Sequence, residues 1–110
     1  FIFGSAIGLQ ASKPMIVARK PGKLPGELIQ ENYSLEYGEN SLAIQKGALN
    51  KFSSYAIVDD LLATGGTVDC VANLIGKNDK NISGLITVIE LKKLEGRLKF
   101  DFPVQSMISL

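Results

Sequence analysis

The sequence predicts an α/β fold: a mostly parallel sheet with flanking helices, plus an antiparallel β-hairpin. Three observations predict it. Short apolar runs rich in β-formers recur at residues 14–18, 55–60 and 84–91. A segment with helical spacing, Val68, Val71, Ala72 and Ile75, separates the last two of these. Strands that alternate with helices pair in parallel, because each return crossing needs a helix-length connection. Finally, residues 33–45 alternate apolar and polar side chains about a glycine, which is the pattern of a hairpin.

Taken in order, residues 1–12 put Ile2, Ala6 and Leu9 on one helical face, and Lys13-Pro14 ends that helix. "PMIVA" (14–18) reads as a buried strand. "RKPGKLPGE" (19–27) holds two Pro-Gly pairs and must be a loop. In the hairpin, Tyr33, Leu35 and Tyr37 share one face, Gly38-Glu39-Asn40 turns the chain, and Leu42 and Ile44 resume the alternation. "YAIVDD" (55–60) is a second buried strand, closed by Asp59 and Asp60. The helix over 67–76 follows, with Gly76 suited to its C-terminal cap. "GLITVIEL" (84–91) is a third strand, residues 92–100 a short charged helix or turn, and residues 103–110 a final strand. No repeat, low-complexity tract or linker divides residues 1–110, so they read as a single domain.

Lys plus Arg is 12 and Asp plus Glu is 11, a net charge of +1. No global field therefore draws the chain to nucleic acid or to an anionic membrane, and any anion recognition must be local. The one cysteine, Cys70, cannot build a disulfide framework, so a reducing compartment, the cytoplasm, is expected. Histidine is absent, which removes histidine-based triads and imidazole general bases. No apolar run approaches the ~18 residues that span a bilayer, and the opening "FIFGSAIGL" reads as a helix rather than a signal peptide. Because Phe1 falls inside an apolar pattern with no cap before it, the chain is expected to be an N-terminally truncated piece, a partial domain lacking the first part of its fold.

The chemistry concentrates in "IVDDLLATGGT" (57–67). In open parallel sheets ligands bind beyond the carboxyl ends of the strands. Ala63, Thr64, Gly65, Gly66 and Thr67 form a loop without bulky side chains, whose glycines let successive N–H groups converge on one anion. The helix start at about Thr67 adds free N–H groups and the positive end of its dipole. These parts fit one phosphate. Asp59 and Asp60 would repel it if they faced it, and serve better as acceptors for vicinal hydroxyls one sugar ring away. A phosphate beside a ribose diol describes a ribose 5-phosphate. The Walker and Rossmann glycine patterns are both absent.

"VDDLLATGGT" resembles the phosphoribosyl-pyrophosphate motif of the type I phosphoribosyltransferases. The fuller set "FIFG", "ARKPGKLPG", "YSLEYG", "LAIQKGAL" and "VIELKKLEGR" is similar to the adenine phosphoribosyltransferases, in the same order and over essentially the whole chain. The resemblance implies attack of adenine on C1 of phosphoribosyl pyrophosphate, giving AMP and pyrophosphate in purine salvage. It also implies Mg²⁺ held mainly through the substrate and a homodimer. Arg19, Lys23 and Tyr37 match pyrophosphate-contacting positions, and Glu36 matches the acid/base near the adenine N7. Residues 33–45 match a flexible hood that closes over the site.

Relatives acting on 6-oxopurines commonly carry an Asp at the position of Ala63, so alanine there favours the adenine class. Two departures stand out: Gly47 replaces a common Asp, and "NKFSS" replaces a Pro/Gly-type turn. The family's base-contacting segment and a Glu-Ser-Arg-Gly run precede the position of Phe1. Two other readings share the phosphate loop: a non-catalytic regulatory domain that binds phosphoribosyl pyrophosphate, and an inactive fragment.

Overall fold

The structure, a computed structural model, describes residues 1–35 and 38–110. Glu36 and Tyr37, expected at the hairpin, lie outside the described residues. The elements run α1 (Ile2–Ala11), β1 (Leu28–Leu35), β2 (Gly38–Gln45), β3 (Ser54–Leu62), α2 (Gly66–Lys77), β4 (Asn81–Glu90) and β5 (Val104–Ser109). Two 3₁₀ turns, Lys92–Leu94 and Gly96–Lys99, connect β4 to β5. Strands β3, β4 and β5 form one parallel sheet in that order, and β1 and β2 pair as an antiparallel ribbon. The α/β class with a parallel sheet and a hairpin is thus the observed one.

The core lies between sheet, α2 and ribbon. Leu62 and Leu85 from the sheet, Val68 and Ile75 from α2, and Ile44 from β2 are all buried in one cluster. The α2 residues buried are Val68, Cys70, Leu74 and Ile75, with Val71 and Ala72 partly covered. That face is wider than the sequence spacing suggested, because α2 has two neighbours. Its flank meets β1, where the Cys70 thiol donates to the Glu31 carbonyl at 3.3 Å and Lys77 pairs with the Glu31 carboxylate. On β2, the consecutive residues Leu42, Ala43 and Ile44 are all buried. Successive strand side chains point to opposite faces, so the ribbon is covered on both sides here.

Five details differ from the sequence expectation. Residues 14–18 form no strand. Ile16 and Ala18 pack on the core, but among the described residues the ladder contact nearby is an isolated bridge between Arg19 and Ala43, so side-chain burial rather than pairing holds the segment. The hairpin starts at Leu28 instead of residue 33, and Gly38–Asn40 lie inside β2 rather than in a turn: the register runs from Leu28↔Gln45 to Leu35↔Gly38. Strand β3 does not stop at the two acids but continues to Leu62, since Leu61 and Leu62 keep pairing with β4. Gly76 lies within α2, and Asn78 caps it, its side-chain amide donating to the Leu74 carbonyl at 2.7 Å. In α1, Ile2, Ala6 and Leu9 are exposed. The helix instead rests on its glycines: a Cβ on Gly4 would sit 3.0 Å from the Met15 sulfur, and one on Gly8 2.9 Å from the Lys13 carbonyl.

Leu85 is 1% exposed on the central strand β4. Leu85→Ala is expected to lower stability by about 2–5 kcal/mol through lost burial and a cavity. Urea unfolding should show this as a lower midpoint with an unchanged slope.

Candidate active site

The site is built where β3 ends and α2 begins. Leu62 is fully buried and anchors the end of the strand, and its carbonyl accepts the Leu91 N–H at 2.9 Å. Gly65 follows with φ 90°, a left-handed conformation that a residue with a Cβ adopts only at a cost. This turn swings the chain into α2, and the Gly65 carbonyl accepts the Asp69 N–H at 2.8 Å to close the first helical turn. No side chain among the described residues caps α2. Its first N–H groups and its positive dipole end are therefore left for a ligand. Thr64 and Thr67 are exposed beside them, free to offer hydroxyls.

The acids stand just upstream. Adjacent strand residues face opposite ways, so Asp59 is half-buried while Asp60 is exposed. The Asp60 N–H donates to Asp59 Oδ1 at 2.9 Å, the one hydrogen bond to this carboxylate among the described residues. Burial pushes the Asp59 carboxyl above its ordinary value, and the Asp60 charge adds to the rise while the Asp60 N–H opposes it. The half-buried Asp59 carboxylate accepts from that N–H and keeps accessible oxygen for a further donor, which suits it to sugar hydroxyls. Among the described residues, no three His, Cys, Asp or Glu side chains gather around one point. Asp59 and Asp60, on opposite faces of the strand, make no protein cage, which fits a magnesium ion that takes its ligands from substrate oxygens and water.

The support of the loop comes from a segment that the sequence reading did not connect with it. Gly96, in the second 3₁₀ turn, is buried with its backbone directly against the loop: a Cβ there would collide with the Ala63 carbonyl and lie 3.0 Å from the Thr64 carbonyl carbon and 3.1 Å from the Gly65 nitrogen. Conversely, a Cβ on Gly65 would sit 3.0 Å from the Gly96 carbonyl, 3.2 Å from the Phe100 ring and 3.3 Å from the Lys99 stem. Across the loop, the Tyr33 ring approaches Gly66, 3.6 Å from where a Cβ would be. A glycine amid the charges of "KKLEGRLKF" was the available signal, and its meaning needs the tertiary contact.

The structure therefore brings Asp59, Asp60, Ala63, Thr64, Gly65, Gly66 and Thr67 together. Arg19 and Lys23 are exposed and make no hydrogen bond or ion pair to that loop among the described residues. The Arg19 guanidinium lies 5.3 Å from the centre of the Phe1 ring and donates to the Lys23 carbonyl at 3.4 Å.

The raised Asp59 has a stability consequence. The folded state holds the Asp59 proton more tightly than the unfolded chain does. Its contribution to stability is therefore lost as pH rises from the ordinary carboxylate value through the raised folded one. At neutral pH the charge is carried at a cost. Asp59→Asn is expected to raise the urea midpoint at neutral pH. At a pH below the ordinary carboxylate value, where the proton is bound in both states, it should leave the midpoint unchanged. Equal midpoints at neutral pH would contradict the burial cost.

No family model matches the chain. It is 70% identical over 108 residues, 98% of its length, to the adenine phosphoribosyltransferase of Prochlorococcus marinus subsp. pastoris, of which it spans 63%. The crystal structure of adenine phosphoribosyltransferase from Thermoanaerobacter pseudethanolicus superposes on all of the chain with a TM-score of 0.94 at 40% identity, and the chain covers 64% of it. The Saccharomyces cerevisiae enzyme, solved with adenine and an imino-altritol bisphosphate, matches 97% of the chain with a TM-score of 0.90 at 37% identity, and 61% of it is covered. The chain thus spans somewhat under two thirds of the relatives it matches. With the acid pair near the end of β3 and the glycine loop leading into α2, the chain is similar over its whole length to adenine phosphoribosyltransferases.

Proposed function

We propose that the protein transfers the phosphoribosyl group of phosphoribosyl pyrophosphate to adenine, forming AMP and releasing pyrophosphate, a step of purine salvage. The observation that carries this reading is the uncapped α2 N-terminus turned by Gly65 immediately after the Asp59-Asp60 pair. It offers one anion site and, just upstream on β3, two carboxylates that accept from hydroxyls, the two functions a ribose 5-phosphate needs. The N–H groups of Ala63–Thr67 bind the 5-phosphate, and Asp59 and Asp60 accept from the ribose hydroxyls. Sugar hydroxyls take the place of water on the half-buried Asp59 carboxylate.

As the bond from C1 to pyrophosphate breaks, positive charge grows on the sugar and negative charge on the leaving group. Arg19 and Lys23, exposed on their loop, suit the leaving pyrophosphate, and Tyr37 joins them in this reading. Magnesium, when bound, neutralises pyrophosphate charge, and it is carried mainly by the substrate. Glu36 takes the role of acid/base toward the adenine N7, and residues 33–45 that of a hood that excludes water. Ala63 leaves the loop without an acid toward the base, as an adenine rather than a 6-oxopurine substrate requires. The partners are these small molecules, not nucleic acid or a membrane. A homodimer in the cytoplasm completes the reading, supported by the exposed apolar residues of α1 and the free, buried Cys70.

The test uses the protein expressed in full from its own gene. AMP should form from adenine and phosphoribosyl pyrophosphate, with hypoxanthine a poor acceptor. Glu36→Gln should slow turnover by roughly 10²–10⁴-fold, the usual worth of a positioned acid/base, and leave ribose 5-phosphate affinity intact. Equal turnover would sink the Glu36 role. Tight binding of phosphoribosyl pyrophosphate without any AMP formation would favour the regulatory reading.

A further inference from the structure

We infer that Glu90 and Arg97 are positioning residues for the phosphate loop, acting on it through Gly96. The inference rests on the reading of Ala63–Thr67 as the 5-phosphate site. Glu90 closes β4 and is 3% exposed. Both of its oxygens accept from one guanidinium: Arg97 Nε donates to Oε2 at 2.6 Å and Nη2 to Oε1 at 2.7 Å. The Ser106 hydroxyl donates to Oε1 at 3.4 Å, and Arg97 Nη1 donates to the Val104 carbonyl at 3.4 Å. The pair therefore ties the end of β4, the 3₁₀ turn and β5 into one unit. A forked guanidinium on a carboxylate fixes orientation as well as distance, which a single-point ammonium does not.

Arg97 follows Gly96 directly in the chain. Holding its side chain to the sheet holds the Gly96 peptide against the Ala63 carbonyl and the Gly65 nitrogen. Backbone hydrogen bonds such as Leu98 N–H to the Glu95 carbonyl at 3.1 Å, and Phe100 packed on the core, shape the turn, while Glu95 at φ 53° and the charges of Lys92, Lys93, Arg97 and Lys99 work against it; the Glu90–Arg97 fork adds the side-chain tie from the turn to β4 and β5. A backbone nest binds phosphate only while its N–H groups converge, and a displacement of about 1 Å in such a site costs on the order of 10²-fold. The latch sets that convergence without touching substrate.

The experiment compares Arg97→Lys, Arg97→Gln, Glu90→Gln and the double variant Glu90→Gln/Arg97→Gln in the protein expressed in full. It measures kcat and the separate KM values for phosphoribosyl pyrophosphate and adenine. In Arg97→Gln the KM for phosphoribosyl pyrophosphate should rise by roughly 10-fold or more, while that for adenine stays where it was. Arg97→Lys, which keeps the charge but loses the fork, should fold and show a smaller rise of the same kind. The double variant should be no worse than Arg97→Gln, because the pair acts as one unit. A residue that only supports the fold would lower the active fraction and hence kcat, with both KM values unmoved. That outcome overturns the inference, as does a full set of unchanged constants. Calorimetry with ribose 5-phosphate separates the two layers. If the wild-type protein does not bind it, the phosphate-site reading falls and takes this inference with it; if it binds and the Arg97 variants bind equally well, the inference alone falls.

Discussion

Backbone meets backbone where Gly96 lies against the turn of Ala63, Thr64 and Gly65. Neither side of that contact tolerates a side chain. On one side, the left-handed turn at Gly65 points the first N–H groups of α2 outward. On the other, the 3₁₀ turn supplies a rigid back wall. Because main-chain atoms touch across the gap, a small shift of either strand end is passed on in full to the loop. Side chains usually absorb such shifts by changing rotamer; between Gly96 and the Ala63–Gly65 backbone none intervenes, although the Phe100 ring and Lys99 stem flank Gly65. Arg97 follows Gly96 directly in the chain and is exposed, while its partner Glu90 is buried. Removing Arg97 would leave the buried Glu90 carboxylate without its main partner.

The acids show the opposite allocation. Glu90 has a guanidinium on both oxygens, and Arg97 holds its carboxyl below the ordinary range. Asp59 has one backbone donor, and burial pushes its carboxyl up. The two lie on adjacent parallel strands of one sheet, so the difference reflects what surrounds them rather than the residue type. Satisfied charge sits where the fold needs a fixed point. Unsatisfied charge sits where a ligand can complete it. A carboxylate already paired in the free protein would have to give up that partner to bind a sugar hydroxyl.

The sheet, the helix after it and the glycine turn between them were legible because their signals are local. "YAIVDD" and "GLITVIEL" are runs of β-formers, α2 keeps helical spacing, and the glycines of the loop state their own conformational need. Residues 14–18 carry the same apolar composition but no strand, since strand character depends on a partner alongside, which composition does not reveal. The hairpin was misplaced at its start and its turn, though not at its end at Gln45, for a related reason. Leu28 and Ile29 lie next to a Pro-Gly loop, and Gly38 looked like a turn residue, yet pairing to β2 decides the register. Gly96 and Arg97 were hidden inside a charged stretch. Their role lies in a contact about thirty residues away along the chain, beyond any periodicity.

Helix α2 joins these parts. Its N-terminus carries the loop, its inner face completes the core, and its flank holds the ribbon through Cys70 and Lys77 against Glu31. The ribbon in turn brings the Tyr33 ring to Gly66. One end of the ribbon's contact with α2 is therefore at the phosphate loop and the other near the helix C-terminus. The ribbon is thus tied to both ends of α2: to its first turn through the Tyr33 ring beside Gly66, and near its last through Lys77 on the Glu31 carboxylate.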